Sequence, residues 1–182
     1  MNSRRAISVF CSGQAAPGGE EYAAAEQVGR VLGQLGYAVA NGGYGGAMEA
    51  VSRGAAQAGA EVIGVPCRIW SSRTNDFLSR AVHTHDLYQR LRTLVDLGTA
   101  GYVVLPGATG TLLELSLVWE LSAKGILLGR PVVCVGAYWR PLAERIAAGS
   151  PSAASCLRFV GRPTELPRHF PRCDLHSPAD CA

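Results

Sequence analysis

The sequence predicts an α/β protein with a three-layer, Rossmann-like fold, in which helices cover both faces of a central parallel sheet. Short runs rich in Val and Ile alternate with longer segments of helical periodicity, and the short runs are almost entirely apolar. Strands of a parallel sheet are buried on both faces, so they lack the polar alternation of half-exposed strands. Glycine-rich loops follow several of these runs, as expected where strands lead into helices.

The predicted elements alternate along the whole chain. The predicted strands cover residues 6–10, 37–40, 61–65, 81–85, 101–105, 131–135 and 157–160, and the predicted helices cover residues 20–35, 47–58, 86–97, 111–123 and 140–148. Gly36 and Gly59 follow the first two helices as expected C′ glycines, and Asp86 is the expected N-cap of the third. Residues 66–80 lack periodicity and are predicted to form a loop or lid over the site.

The composition limits the function classes. A length of 182 residues fits one domain, predicted over residues 1–165, with residues 166–182 as a C-terminal tail. The net charge of +3 and the scattered arginines give no footprint for nucleic acid or a membrane. No targeting segment is visible at the N-terminus, and the six cysteines show no zinc-ligand spacing, so a cytoplasmic protein with reduced thiols is expected.

No metal is expected. His83 and His85 alternate along a predicted strand, but a histidine pair without a third ligand is more often found on a surface or lining a pocket.

Two glycine-rich loops follow predicted strands at the position where open α/β sheets bind ligands. The first covers residues 41–46 and the second residues 106–111. Glycines let backbone N–H groups approach a phosphate at the positive end of a helix. The expected phosphate contacts are Gly42, Gly43, Gly45, Gly46, Gly107, Thr109, Gly110 and Thr111. The first loop has an alternative interpretation, a glycine turn that lets helix and strand pack closely, and Met48 breaks the dinucleotide pattern GxGxxG there.

Glu114 lies three residues after Thr111, and two interpretations of it stay open. If Thr111 is the N-cap of the fourth helix, Glu114 is its capping-box partner. Otherwise, a carboxylate next to a phosphate loop is a candidate catalytic group.

The loops also resemble the motifs of a known family. PGATGTLLE (residues 106–114) resembles the PGGxGTxxE signature of the LONELY GUY phosphoribohydrolases, and NGGYGGAMEA (41–50) resembles their GGGxxGxMG loop. Cys11-Ser12-Gly13 is similar to the family's first post-strand loop, and Leu87 to Arg90 fall where the family carries M-H-x-R. The resemblance covers about residues 6–148, and the sequence departs from the motifs at Asn41, Glu49, Leu91 and Ala108. Asn41 is expected to tolerate the left-handed conformation of the glycine it replaces.

The resemblance implies a hydrolase without a cofactor, which cleaves the N-glycosidic bond of an AMP-like nucleoside 5′-monophosphate to free base and ribose 5-phosphate. It implies that Glu114 and Arg90 are catalytic. Glu114 would stabilise an oxocarbenium-like transition state and orient or deprotonate water, and Arg90, always protonated, would act as an electrostatic clamp. The one lysine, Lys124, lies at a helix C-terminus and does not suit a pyridoxal phosphate Schiff base, so the family's former label of lysine decarboxylase is not expected to apply.

The remaining expectations concern the ligand pocket and partners. Ser12 is expected to contact phosphate, and Tyr44 and Met48 are candidates for the base pocket. Trp70 is an alternative stacking residue, whereas Trp119 and Trp139 are expected in the core or an interface. A homodimer is expected because residues 112–121 hold more apolar side chains than one sheet face needs, and the resemblance implies the same. The alternative function is a non-catalytic nucleotide or cofactor carrier of the same fold.

Overall fold

A seven-stranded parallel sheet forms the centre of the computed structural model, which describes residues 5–70, 72–150, 153 and 155–173. The strand order is β4-β3-β2-β1-β5-β6-β7, and every pairing is parallel. The strands are β1 (Ala6–Phe10), β2 (Ala38–Asn41), β3 (Val62–Gly64), β4 (Arg80–Ala81), β5 (Gly101–Val104), β6 (Val132–Val135) and β7 (Leu157–Val160). The structure therefore confirms the α/β fold class.

Five α-helices and one 3₁₀ helix are among the described elements. They are α1 (Glu20–Gln34), α2 (Ala47–Gln57), α3 (Leu87–Leu97), α4 (Thr109–Ala123), α5 (Arg140–Gly149) and the 3₁₀ helix Pro163–Arg168. Helices α1 and α2 and the 3₁₀ helix share one buried apolar cluster, and α3, α4 and α5 share the other. Adjacent residues of β5 face opposite clusters, Val103 the first and Val104 the second. The sheet is thus covered on both faces.

The chain reverses direction across the sheet between β1 and β5. From β1 it crosses to β2 through α1, and from β5 it crosses the opposite way to β6 through α4. Right-handed crossovers in opposite directions put these two helices on opposite faces. Phe10 pairs with Val104, so β1 and β5 end at the same level of the sheet. The loops that follow them diverge there and open the crevice in which such sheets bind ligands.

The fourth helix begins earlier than expected. It starts at Thr109, and its N-cap is Ala108, which has extended backbone angles. Thr109 and Gly110 can be helical because the first N–H groups of a helix need no intrahelical acceptor. Thr111 is therefore the third helical residue, so both its N-cap role and the capping box with Glu114 are wrong.

The segment expected to form a strand at residues 81–85 is mostly irregular. Only Arg80 and Ala81 pair with β3, followed by an isolated bridge between Cys67 and Thr84. Pro66 lacks an N–H and cannot donate a ladder hydrogen bond, although its carbonyl accepts one from the N–H of Thr84 at 3.0 Å. His83 and His85 lie outside the strand and are exposed.

The packed region continues beyond residue 165, so the tail begins later than expected. Leu166 and Phe170 are almost fully buried in the α1–α2 cluster. The N–H of Cys173 donates to the carbonyl of Leu35 at 2.8 Å. Residues 166–173 therefore cover one face of the sheet, and the rest of the predicted tail, with Cys181, lies outside the described residues.

None of the helices in the described part of the chain has the length and apolar character needed to span a membrane. The same residues contain no group of three or more His, Cys, Asp or Glu side chains placed to hold a metal ion.

Candidate functional site

A cleft of about 470 Å³ opens at the carboxyl ends of β1 and β5, a size typical of small-molecule sites. Its walls come from the loop after β1, the first turns of α2 and α4, the inner side of α3 and the segment that follows β3. The described residues that line it are Cys11, Ser12, Gly13, Gln14, Met48, Trp70, Arg90, Ala108, Gly110, Thr111 and Glu114. The cleft lies at the topological switch point of the sheet.

Arg90 and Glu114 form a buried ion pair in this cleft. Arg90 Nη1 lies 2.9 Å from Glu114 Oε1, and the two residues are only 8% and 7% exposed. Asp86 caps α3 by accepting a hydrogen bond from the N–H of Gln89 at 2.7 Å, which fixes the turn that carries Arg90. The structure therefore brings together the two residues for which a catalytic role is expected.

Other groups hold the Arg90 guanidinium in place. Its Nε donates to the carbonyl of Val65 at 3.1 Å, and its Cζ lies 5.4 Å from the centre of the Trp70 ring, a cation–π contact. Gly42 packs beneath the guanidinium, where a Cβ would overlap Arg90 Nη2 and lie 2.6 Å from Met48 Sδ. The missing side chain at residue 42 is what gives Arg90 its room.

Burial dominates the electrostatics of the cleft. It raises the pKa of Glu114 from its ordinary value of 4.5 to about 7, although Arg90 acts in the opposite direction. Burial, together with the Glu114 charge, also raises the pKa of the Cys11 thiol well above its usual range, so this thiol stays protonated. A carboxyl group with a pKa near neutrality can exchange a proton at physiological pH.

The N-terminus of α4 has the features of an anion site. Its N-cap, Ala108, makes no side-chain capping bond, and Gly110 and Thr111 face the cleft. A Cβ at Gly110 would meet no protein atom within 4 Å, so the space beside this turn is open. The hydroxyl of Ser12, which also lines the cleft, accepts a hydrogen bond from the N–H of Gln14 at 3.0 Å and keeps its O–H for a further acceptor. Helix N–H groups and a hydroxyl together suit a phosphate.

The first glycine loop has a different structure from the one expected. Asn41 is the last residue of β2, fully buried, and its Oδ1 accepts a hydrogen bond from the N–H of Gly43 at 2.7 Å. Its Nδ2 donates to Ser52 Oγ at 2.9 Å. None of the described non-glycine residues has a positive φ, so Asn41 does not use the left-handed conformation that it is expected to tolerate. Asn41 instead ties the loop to α2 through its side chain.

The glycines of the first loop allow close packing. Gly46 has a φ of 68°, and a Cβ there would overlap the backbone of Gly13. Gly43 has a φ of 82°, and its carbonyl accepts a hydrogen bond from the N–H of Asn75 at 2.9 Å. From this part of the chain only Met48 reaches the cleft lining. The interpretation of this loop as a packing turn therefore describes its geometry better than phosphate contact does.

The expected site residues fall into two groups. Lining the cleft are Ser12, Met48, Arg90, Gly110, Thr111 and Glu114. Outside its described lining are Gly42, Gly43, Tyr44, Gly45, Gly46, Gly107 and Thr109. Gly107 supports Thr111, since a Cβ at residue 107 would overlap the Thr111 hydroxyl. Tyr44 is not among the residues that line the described cleft, and its hydroxyl is bound to the backbone of Cys67.

Several residues of the cleft were not singled out as site residues. Three of them, Cys11, Gly13 and Gln14, directly follow β1, and Ala108 directly precedes α4. Their position in sequence next to expected site residues is the signal that could have identified them. Trp70, the alternative stacking residue, lines the cleft. Trp119 and Trp139 are buried, and their Nε1 atoms donate to the carbonyls of Ala153 and Leu105, which confirms their place in the core.

Comparison with solved structures identifies relatives of the same fold. A molybdenum cofactor binding protein from Rippkaea orientalis has a TM-score of 0.74 and 23% identity, with 92% of this chain and 96% of that protein covered. The protein TM1055 has a TM-score of 0.70 and 25% identity, with 90% and 96% covered. The molybdenum cofactor carrier protein of Chlamydomonas reinhardtii has a TM-score of 0.67 and 18% identity, with 89% and 92% covered.

Sequence comparison gives the family. The chain is 28% identical over 117 residues to an uncharacterized protein of Archaeoglobus fulgidus, a match that covers 64% of this chain and 76% of that protein. A model of the SLOG cluster4 family matches residues 4–154 of the 182. Because this match spans most of its length, the chain belongs to the SLOG cluster4 family.

Proposed function

We propose that this protein binds a phosphorylated small molecule with a planar heterocycle and carries it without chemical change. The observation that carries the proposal is the N-terminus of α4, which lacks a side-chain cap and opens into the cleft that Ser12 also lines. Backbone N–H groups at the positive end of a helix bind phosphate without needing a charged side chain.

Two further observations support carriage. The Rippkaea orientalis protein binds the molybdenum cofactor, and the Chlamydomonas reinhardtii protein carries it, on the same fold. The organic part of that cofactor is a pterin with a phosphate, so it shares a nitrogen heterocycle and a phosphate with a nucleoside monophosphate. In addition, the Arg90 guanidinium already donates hydrogen bonds to Glu114 and to the carbonyl of Val65. These bonds make Arg90 a structural part of the cleft wall.

The test of carriage measures binding and product in the same sample. The protein is titrated with AMP and with a monophosphorylated pterin by calorimetry, and each mixture is then separated by chromatography. We expect one ligand bound per chain and its recovery intact. Free base or free pterin formed in proportion to protein and time would contradict carriage.

A second candidate function, phosphoribohydrolase activity, has its own supporting observation. Glu114 is a buried carboxyl group in the cleft with a pKa raised to about 7, and it occupies the glutamate position of the motif that resembles the LONELY GUY signature. Such a group suits the activation of water. The water oxygen would bond to the anomeric carbon, and the N-glycosidic bond would break with its electron pair going to the base, which takes up a proton.

The Glu114→Gln variant tests this second candidate, because it keeps the size of the side chain and removes its charge. If the protein is a hydrolase, turnover of the best nucleoside 5′-monophosphate should fall by about 10² or more while affinity stays within a few fold. Arg90→Ala should weaken both turnover and binding. Release of base at the same rate by wild type and Glu114→Gln would exclude Glu114 as the catalytic carboxylate.

We also propose that the protein is a homodimer through the outer sides of α3 and α4. An apolar groove of about 620 Å³ lies there, lined mainly by Leu91, Val95, Leu113, Leu117, Leu121 and Ile126. Leu113 is 42% and Ile126 is 64% exposed, although α4 already buries its opposite side in the core. Arg92 and Asp96, which also line the groove, pair with each other on α3 at 3.7 Å, and a two-fold axis that passes between them would place each opposite the other residue of the second copy.

A further inference from the structure

Trp70 is an exposed indole inside the cleft. Of the described residues that line the cleft, it carries the only aromatic ring, and 41% of the residue is exposed. Trp119 and Trp139 are each 6% exposed and donate hydrogen bonds from Nε1. Large aromatic side chains are buried or hydrogen-bonded in most folded proteins, so a partly exposed indole in the same cleft as the α4 N-terminus offers a contact surface to a ligand.

A backbone turn and the Tyr44 side chain hold the Trp70 ring in position. The N–H of Trp70 donates to the carbonyl of Cys67 at 3.2 Å, which closes a turn. Tyr44 anchors the same turn, because its hydroxyl accepts a hydrogen bond from the N–H of Cys67 at 2.8 Å. The Tyr44 ring also meets the Trp70 ring edge to face, with centres 6.1 Å apart. The indole is therefore held in place before any ligand binds.

Arg90 links this ring to the rest of the cleft. Its guanidinium carbon lies 5.4 Å from the centre of the Trp70 ring, while the same guanidinium is bonded to Glu114 and to the carbonyl of Val65. Trp70 thus lines the same cleft as the α4 N-terminus. A ligand with a phosphate at that helix end and a flat ring on the indole would use both features.

We infer that Trp70 is the surface on which the planar heterocycle of the ligand stacks, so that the ligand is a phosphorylated purine or pterin and not a sugar phosphate alone. This inference rests on the phosphate-binding function proposed above. Stacking of a heterocycle on an aromatic side chain contributes enough to affinity that loss of the ring weakens binding by about tenfold or more. Loss of the Trp70 ring should therefore remove the contact with the heterocycle and leave the phosphate contacts unchanged.

The experiment compares ligands with and without the heterocycle. AMP, a monophosphorylated pterin and ribose 5-phosphate are titrated by calorimetry into wild type, Trp70→Ala and Trp70→Phe, with Ile69→Ala as the control. Ile69 is the neighbouring residue, 58% exposed, and is not among the residues lining the cleft. Trp70→Ala should lower the affinity for the heterocyclic ligand about tenfold and change the affinity for ribose 5-phosphate less than twofold. Trp70→Phe should keep most of the affinity, and Ile69→Ala all of it.

The possible results separate this inference from the function on which it rests. If Trp70→Ala weakens ribose 5-phosphate as much as AMP and the pterin, the residue only shapes the segment and the stacking role is overturned. If Trp70→Ala leaves all three affinities unchanged while the wild type binds phosphate, stacking is again overturned and the phosphate site stands. If the wild type binds none of the three ligands, the proposed function itself fails.

Discussion

The Arg90 guanidinium donates a hydrogen bond to the Glu114 carboxylate at 2.9 Å, across 24 residues of sequence and between two helices. Both side chains are buried, so burial and ion pairing act in opposite directions on the carboxyl group. Removing one partner from such a pair leaves the other charge without compensation. This one contact therefore couples the stability of the fold to the chemistry of the cleft.

The pH dependence of stability should show the raised pKa of Glu114. Between its unfolded value of 4.5 and about 7, the folded protein holds a proton that the unfolded chain has lost. The free energy of unfolding therefore falls as pH rises through this window. From pH 5 to pH 8, the free energy of unfolding measured in urea should fall by about 2 kcal/mol more for wild type than for Glu114→Gln. His169, whose pKa is lowered, contributes equally to both proteins and cancels. Parallel pH profiles would contradict a raised pKa.

Gly42→Ala should destabilise the protein by about 1–3 kcal/mol, because the new Cβ must displace Arg90 or Met48. Gly45→Ala is the matched control in the same loop. Its Cβ would meet only Glu49 Oε2 at 3.9 Å, and a change within about 0.5 kcal/mol is expected. Urea midpoints at constant m-value measure both changes. Equal midpoints for the two variants would show that Arg90 does not need the space at residue 42.

Leu113→Asp should convert the expected dimer into a monomer, because the charge would enter the apolar groove between α3 and α4. Ile146→Asp is the control, since Ile146 on α5 is also 42% exposed and does not line the groove. Light scattering at micromolar concentration gives the mass. A monomeric wild type, or a dimer that persists in Leu113→Asp, would contradict this interface.

Gly110→Ala should weaken ligand binding without weakening the fold. Its Cβ would meet no protein atom within 4 Å, so stability should stay constant or rise by up to about 1 kcal/mol from the higher helix propensity of alanine. The same Cβ would occupy space at the α4 N-terminus, and affinity for AMP should fall by about tenfold or more. Gly149→Ala, in equally open space at the end of α5, should leave affinity unchanged. Equal affinities for both variants would place the phosphate elsewhere.

The sheet was predictable from the sequence because its signals are local. Apolar runs define the strands, and β7 has the predicted bounds, Leu157–Val160. The position of the loop after β5 at the cleft was also predictable, since its glycines precede a helix, and Gly110 and Thr111 line the cleft. Strand order reverses beside β1, as expected for this class of fold.

The parts that sequence reasoning missed depend on contacts between distant residues. The Asn41 side chain ties the first loop together because it bonds to both Ser52 and Gly43. Neither residue predicts this contact from the sequence alone. The role of Tyr44 behind Trp70 depends on the turn at Cys67, which no periodicity marks. The early start of α4 follows from helical geometry at Thr109 and Gly110, residues with weak helix propensity of their own.

The cleft at the switch point is proposed above all to recognise a phosphate. The most direct test is calorimetric titration of the wild-type protein with AMP and with adenosine, which differ only in the 5′-phosphate. We expect AMP to bind at least about tenfold more tightly, equivalent to about 1.4 kcal/mol. Equal affinities for the two compounds would contradict the claim.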